Sequence, residues 1–238
     1  YIKLLKTQID RYLQNPGREV QSVAESSFDT WIKFYRPDEN SNNAGTSYYN
    51  KGCLVALCLD LGLRLRGSSL DALVRKLYEN AQKGIQVSER SIFDLCEELT
   101  GHSWLEQINH LIYTTDELPL DQLFPEFGIE YQVKNDKTQP FGLKLAEKPE
   151  GVLIQQARRE GAGAKAGLSA NDVIVAIDGL KASEKLLAQY AKQQGECVVH
   201  AFRRDELLQF TVKAAEIGLA TVDLKVVDQS KAENWLKA

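Results

Sequence analysis

The chain contains no methionine, not even at position 1. It has three histidines, His102, His110 and His200, and none of them opens a His-Glu-x-x-His motif. A catalytic zinc needs three protein ligands at suitable spacing, so no metal site is expected in this chain. His102 and His110 lie about two helical turns apart and could share a face. His102, however, sits in a Gly101-His102-Ser103 turn, and both read as structural or solvent-exposed imidazoles. The four cysteines (Cys53, Cys58, Cys96 and Cys197) show no Cys-x-x-Cys spacing and lie within apolar patterns. That argues against a disulfide framework and for a reduced compartment, so a cytoplasmic location is expected. No apolar run approaches the roughly 18–20 residues that span a bilayer. The longest, Cys53 to Leu65, is broken by Asp60 and Arg64. The net charge of −4 gives no footing for nucleic acid or an anionic membrane as partner. No Gly-x-Ser-x-Gly elbow surrounds Ser26-Ser27, and no signal peptide is seen. With 43% apolar and 26% charged residues, the chain is expected to fold.

What is present divides near Phe127. Residues 1–127 read as helical. A first amphipathic helix carries Ile2, Leu5, Ile9 and Leu13 on one face and stops at Asn15-Pro16-Gly17. Because the chain opens inside this pattern, it is expected to be a piece of a longer protein. A second helix is predicted from Val20 to Tyr35, burying Val23, Phe28, Trp31 and Ile32 and halted by Pro37. Asp38 to Thr46 reads as a polar loop. A third helix, from Ser47 or Tyr48 to about Arg66, is apolar on most faces and so belongs at the centre of a bundle. Ser68 or Ser69, Ser88 and Ser103 are expected to cap three further helices.

Residues 128–238 read as a second domain of strands with two helices. Strands are expected near Ile129–Val133, Gly142–Leu145, Val152–Gln155, Val173–Ile177, Cys197–Arg203 and Leu207–Lys213. Asn135 to Gln139 reads as a polar turn, and a helix is expected from Ala182 to Gln193. The fold class is therefore α+β: an all-α bundle, then a small β-barrel-like domain. The basic pairs Arg158-Arg159 and Arg203-Arg204 read as solvated loop charges.

The stretch 161–179 is the most specific in the chain. A small-residue turn of helix ends at Gly167, Leu168 follows as an apolar plug, Asn171-Asp172 makes a turn, and Val173 to Ile177 runs into Asp178-Gly179. This order resembles a PDZ domain. Upstream, Pro140-Phe141-Gly142-Leu143 is similar to the apolar-Gly-apolar loop of such domains. The resemblance implies that the backbone N–H groups of Phe141, Gly142 and Leu143 face a peptide carboxylate. The peptide would add as a strand beside Leu143–Leu145, against the helix bearing Leu186, Leu187 and Tyr190. Proline replaces the usual first glycine of that loop. From the tetrapeptide alone, an ordinary turn that binds nothing is the simpler reading.

Tyr49-Asn50-Lys51-Gly52 stands before the long apolar helix. Taken alone, Tyr49 reads as a structural tyrosine. The longer ordered string around it includes Gly17-Arg18, Gln21-Ser22, Trp31-Ile32-Lys33 and Tyr35-Arg36-Pro37-Asp38-Glu39-Asn40-Ser41. That string is similar to the glycyl aminopeptidase family of gluzincin zinc metallopeptidases, in the part that follows the metal site. The resemblance implies that Tyr49 stabilises an oxyanion, and that the Arg36 to Ser41 loop lines the substrate cleft or is structural. It also implies zinc in the full-length protein, with the metal ligands and general base upstream of Tyr1 and none in this chain. The expected partners are peptides or protein termini, together with the missing N-terminal part of the same protein. The expected function is that of a C-terminal piece, itself inactive, of an enzyme that removes small N-terminal residues. A free-standing adaptor, in which a helical scaffold presents a PDZ domain, is the alternative. The PDZ part of a serine protease fits poorly with a helical upstream half. Truncation of the full-length enzyme near Phe127 is expected to leave the zinc chemistry partly intact if the PDZ domain only guides substrate.

Overall fold

A computed structural model describes residues 1–236; the last two positions of the expected second domain, 237–238, lie outside the described residues. The helical region runs α1 (Ile2–Leu13), a 3-10 turn (Pro16–Glu19), α2 (Val23–Phe28), α3 (Ser41–Ala44), α4 (Tyr48–Arg64), α5 (Leu70–Gln82), α6 (Glu89–Thr100), α7 (Leu105–Tyr113) and α8 (Leu120–Glu126). Then come β1 (Ile129–Pro140), β2 (Leu143–Lys148), β3 (Gly151–Ala157), α9 (Ala162–Lys165), β4 (Val173–Ile177) and β5 (Leu180–Lys181). The chain ends with α10 (Glu184–Ala191), β6 (Glu196–Arg203), β7 (Glu206–Lys213), β8 (Glu216–Val226) and α11 (Gln229–Leu236).

Helix α4 is the axis of the helical region, as its all-round apolar pattern requires. Leu54, Leu57, Cys58 and Leu61 face one core with Leu5, Ile9 and Tyr12 of α1 and Phe124 of α8. Leu63 faces a second core with Leu73, Leu95, Cys96 and Trp104. Each buried leucine contributes about 1.5–3 kcal/mol, so this one helix organises both layers. Gly62 lets the indole of Trp104 lie against the backbone of α4: a Cβ there would stand 3.1 Å from the ring. Serine caps form on α4, α5 and α6, but the expected Ser103 cap does not: Trp104 occupies the N-cap of α7 and makes no side-chain cap bond. Ser47, Ser69 and Ser88 accept from the N–H groups of Asn50, Ala72 and Ser91.

The strands do not close into the expected barrel. Strands β2 to β7 form an open antiparallel sheet in the order β2-β3-β4-β6-β7, with β5 beside β4. Its core holds Phe141, Leu143, Ile154, Leu168, Ile174, Leu187 and Val199. Strands β1 and β8 form a separate two-stranded ribbon. That ribbon belongs to the helices: Ile129, Val222 and, from α11, Trp235 complete the core around α1, α4 and α8. The chain thus leaves the helical region along β1, builds the small sheet, and returns along β8. Asn135 to Gln139 is part of β1 rather than a turn, with a bulge between Lys134 and Lys137. Its partners across the ribbon are Leu219, Gly218 and Ile217, so pairing to β8 extends a polar segment that has no strand pattern of its own.

The predicted second helix also changes. Only Val23–Phe28 is regular, opened by a capping box in which Ser22 accepts from Glu25 N–H and the Glu25 carboxylate accepts from Ser22 N–H. That bond holds the Glu25 carboxyl below its ordinary pKa. Beyond Asp29 the chain winds irregularly, and the Tyr35 N–H reaches back to the Thr30 carbonyl. Phe28, Trp31 and Ile32 are 90%, 76% and 74% exposed instead of buried. Helical spacing put them on one face, but no core among the described residues receives that face.

The two regions are pinned by polar contacts. Both terminal nitrogens of Arg158 donate to the Gln14 carbonyl, at 2.7 and 2.6 Å. Asn43 donates to the Ala157 carbonyl and accepts from Arg159 N–H. The Val222 N–H donates to Asp10 at 2.7 Å. Arg158 is therefore an anchor and not a solvated loop charge. Arg203 likewise grips the buried Asp172 with two nitrogens, both at 2.8 Å, fixing the Asn171-Asp172 turn. Asn171 takes φ +71°, and Asp178-Gly179 takes φ +46° and +77°, as those turns require.

Candidate functional site

Tyr48 and Tyr49 stand in the first turn of α4, which Ser47 caps. Tyr49 is 58% exposed, so it is not a buried structural tyrosine. The irregular segment after α2 folds against them. Tyr35 stacks on Trp31 with centroids 4.9 Å apart. Phe34 contacts Tyr48 and Tyr49 at 5.6 and 5.8 Å, and the two tyrosine rings lie 4.2 Å apart. The hydroxyl of Tyr35 lies 3.0 Å from that of Tyr49 and 3.4 Å from that of Tyr48. The phenol pKa of Tyr35 is raised by its hydrogen bonds to Tyr48 and Tyr49, and that of Tyr48 is lowered by its bonds to Tyr35 and Tyr49.

Phe34 also lines a cleft of about 470 Å³. Arg36, Pro37, Asp38 and Ser41 line it as well, so the Arg36 to Ser41 loop does face a cavity. Its rear wall is held by close backbone approach. Gly17 has no room for a side chain, since a Cβ would lie 2.0 Å from the Gly45 carbonyl oxygen. Gln21 accepts from Thr46 N–H, and Ser26 donates to the Thr46 carbonyl. The Gly17-Arg18 and Gln21-Ser22 parts of the sequence string therefore shape the cleft and leave the chemistry to others. Arg18 pairs with Glu117 and packs over the Tyr12 ring. Lys51 is fully buried one turn below the tyrosines and reaches only the Thr114 carbonyl, at 3.4 Å. Burial lowers its pKa.

The second expected site lies at the β1–β2 turn. Phe141 is fully buried at φ +54° and Gly142 takes φ +72°. The Phe141 N–H donates to the Ala215 carbonyl at 2.8 Å, and the Gly142 N–H donates to Gln139 at 3.1 Å. Two of the three donors expected for a peptide carboxylate are thus engaged inside the fold. Leu143, also buried, begins β2, which pairs with β3 along one edge.

Residues 1–55 match the family model of the M61 glycyl aminopeptidases, and residues 130–194 match that of the PDZ domain. The chain is also similar to the crystal structure of an aminopeptidase N family protein from Idiomarina loihiensis, with 31% identity and a TM-score of 0.86. That likeness covers 99% of this chain and 44% of the other, so this chain spans less than half of its solved relative. A serine endoprotease from Yersinia pestis is similar at 17% identity over 32% of this chain and 28% of the other, with a TM-score of 0.28. The HtrA3 PDZ domain bound to a phage-derived ligand is similar at 15% identity over 41% of this chain and 92% of the other, also with a TM-score of 0.28. A comparison with curated proteins finds no match.

Zinc, which the glycyl aminopeptidase resemblance implies, is not accommodated by the side chains here. Among the described residues no three His, Cys, Asp or Glu side chains converge to hold a metal ion. The His102 ring bonds the Thr100 carbonyl, His110 lies 3.5 Å from Asp116, and His200 sits within β6. No step through a metal is derived for this chain. Among the described residues, no helix is long and apolar enough to cross a membrane. The feature that sequence reasoning missed is the aromatic cluster itself. Helical spacing places Trp31 on one face of the expected second helix, and only the proximity in sequence of Trp31, Phe34 and Tyr35 to Tyr48-Tyr49 hints at a shared site.

Proposed function

We propose that this chain is the C-terminal part of a larger aminopeptidase that removes small N-terminal residues, glycine among them, from peptides. In this reading the zinc and its ligands belong to the remainder of the enzyme. This chain contributes a phenol at the cleft and a PDZ domain that handles peptide. The observation that carries the reading is Tyr49, exposed in the first turn of α4 beside the cleft-lining Phe34, within a chain similar along 99% of its length to an aminopeptidase N family protein. As the scissile carbonyl becomes tetrahedral, its oxygen gains negative charge. The Tyr49 hydroxyl donates to that oxygen, and the donation is strongest in the transition state. The cleft wall of Arg36, Pro37 and Asp38 orients the peptide.

Peptide would reach the PDZ domain along the free edge of β2, beside α10, as an added strand. With the Phe141 and Gly142 N–H groups engaged, main-chain pairing along β2 supplies the affinity, and the turn forms a wall. The test is Tyr49→Phe in the full-length enzyme. Turnover should fall about 100-fold or more with KM little changed, in the range measured when one oxyanion donor is removed. An unchanged kcat would remove Tyr49 from the mechanism. The present chain, assayed alone with zinc and aminoacyl substrates, should be inactive. Measurable turnover would show instead that it carries a complete active site.

A further inference from the structure

We propose that Tyr35 is a positioning residue for Tyr49: its hydroxyl donates to the Tyr49 oxygen and leaves the Tyr49 proton free for the substrate oxyanion. The inference rests on the oxyanion role of Tyr49 and adds a second phenol to it. A hydroxyl that donates to a developing oxyanion must itself be held from the oxygen side. The Tyr35 hydroxyl, 3.0 Å from the Tyr49 oxygen, is placed to be such a partner. Tyr35 can serve because its own ring is fixed. It stacks on Trp31 at 4.9 Å and meets Phe34 edge-on at 5.3 Å. The turn that carries it is closed by the Tyr35 N–H bond to Thr30. Tyr48 braces the pair from the other side, 3.4 Å from the Tyr35 hydroxyl and in ring contact with Tyr49.

The 3.0 Å separation accommodates Tyr35 as donor and Tyr49 as acceptor. The groups that perturb the Tyr35 phenol are Tyr48 and Tyr49, whose hydrogen bonds raise its pKa. A phenol that accepts one hydrogen bond donates the next more strongly, because hydrogen bonds in a chain polarise one another. Tyr35 therefore fixes the angle of the Tyr49 hydroxyl and sharpens it as a donor. This also explains why the segment after α2 leaves helical geometry. A regular helix through Trp31 to Tyr35 would be held by its own ladder, whereas the observed winding lets the Tyr35 phenol reach α4.

The test is a double-mutant cycle in the full-length enzyme with Tyr35→Phe and Tyr49→Phe. Tyr35→Phe keeps the ring and its stack on Trp31 and removes only the hydroxyl. It should lower kcat about tenfold, the loss of one ordinary hydrogen bond, with KM unchanged. In the Tyr49→Phe background it should lower kcat no further, because Tyr35 acts through Tyr49. An equal loss in both backgrounds would make Tyr35 a structural residue and overturn the proposal. Full activity of Tyr35→Phe beside a crippled Tyr49→Phe would overturn it too, while leaving the role of Tyr49 intact. Full activity of Tyr49→Phe would overturn the aminopeptidase reading of this site. The isolated chain gives an independent check by ultraviolet titration of its tyrosinates. Wild type should contain one phenol that ionises ahead of the others, Tyr48, and Tyr35→Phe should abolish that early phase with circular dichroism unchanged. Persistence of the early phase would show that Tyr35 does not hold the cluster together.

Discussion

At the start of α4 the hydroxyl of exposed Tyr35 lies within hydrogen-bonding distance of those of half-buried Tyr48 and exposed Tyr49. At the β1–β2 turn the opposite holds. Phe141 is fully buried, and its N–H and that of Gly142 are bonded to Ala215 and Gln139. Both places carry a sequence motif with a known use, yet the first presents exposed hydroxyls while the second has two of its three expected donors engaged inside the fold. A motif therefore fixes a fold more firmly than it fixes a chemistry. Whether a donor is available depends on what else reaches it, and Ala215 reaches Phe141 from far along the chain.

The same contrast separates the two regions as folding units. The largest effect is expected from cutting the chain after Phe127. Ile129, Val222 and Trp235 belong to the helical core, so truncation should melt α1, α4 and α8, contrary to what the position of Phe127 suggests. Losing these three residues costs several large-to-small substitutions at once, about 2–5 kcal/mol each. Replacing residues 141–215 by an Asn-Gly turn should instead leave the helical region folded. Circular dichroism melts of the two deletions distinguish the outcomes, and equal melting would make the regions one unit.

A smaller, local loss is expected from Gly142→Ala. The residue takes φ +72°, and a Cβ would meet the Gly161 backbone at 2.6 Å. The penalty should be about 2–4 kcal/mol from backbone strain and overpacking. Hydrogen exchange should quicken in β2 and β3 while α4 keeps its protection. Faster exchange in α4 would show that the two cores are coupled.

The helical core should respond to alkali through its buried phenols. Burial, with the Glu117 charge second, pushes the Tyr12 phenol up to about 12, and Tyr131 moves in the same direction. The fold favours the neutral phenol, so its contribution is complete below pH 10, the ordinary value. It is lost as the pH rises from 10 through 12, a change of about 3 kcal/mol from Tyr12. Urea melts across that window should show the loss, and Tyr12→Phe should remove most of it. A flat profile in the wild type would mean that the phenols are less buried than described. The smallest effect, about 1–2 kcal/mol, is expected from Arg158→Ala, which removes the two bonds to Gln14. Limited proteolysis near residues 157–160 should accelerate, with both cores intact.

Local chemistry was readable in the sequence. The caps at Ser69 and Ser88, the apolar faces of α4 and the 161–179 stretch depend on residues close together, and each formed where its pattern placed it, whereas the helix expected after Ser103 starts from Trp104 without a side-chain cap. Three features were not readable. The spacing of Phe28, Trp31 and Ile32 announces a face without naming a partner, and here no core receives it. Asn135 to Gln139 is polar enough for a turn and becomes strand only because β8 lies alongside. Arg158 and Arg203 sit beside turns like ordinary surface charges, but one bonds the end of α1 and the other the buried Asp172. In each case the deciding partner is distant in sequence.

The paired β1–β8 ribbon has a mechanical consequence. A module hung on a single strand can swivel, whereas one carried on two hydrogen-bonded strands resists torsion and bends mainly out of the ribbon plane. Compliance then concentrates where the ladder is interrupted, between Lys134 and Lys137. Spin-label distances from α4 to β7 should vary along that one direction, and isotropic variation would show that the ribbon does not act as a flat spring. The small sheet is thus a paddle on a leaf hinge, latched on its other side by Arg158 and Asn43.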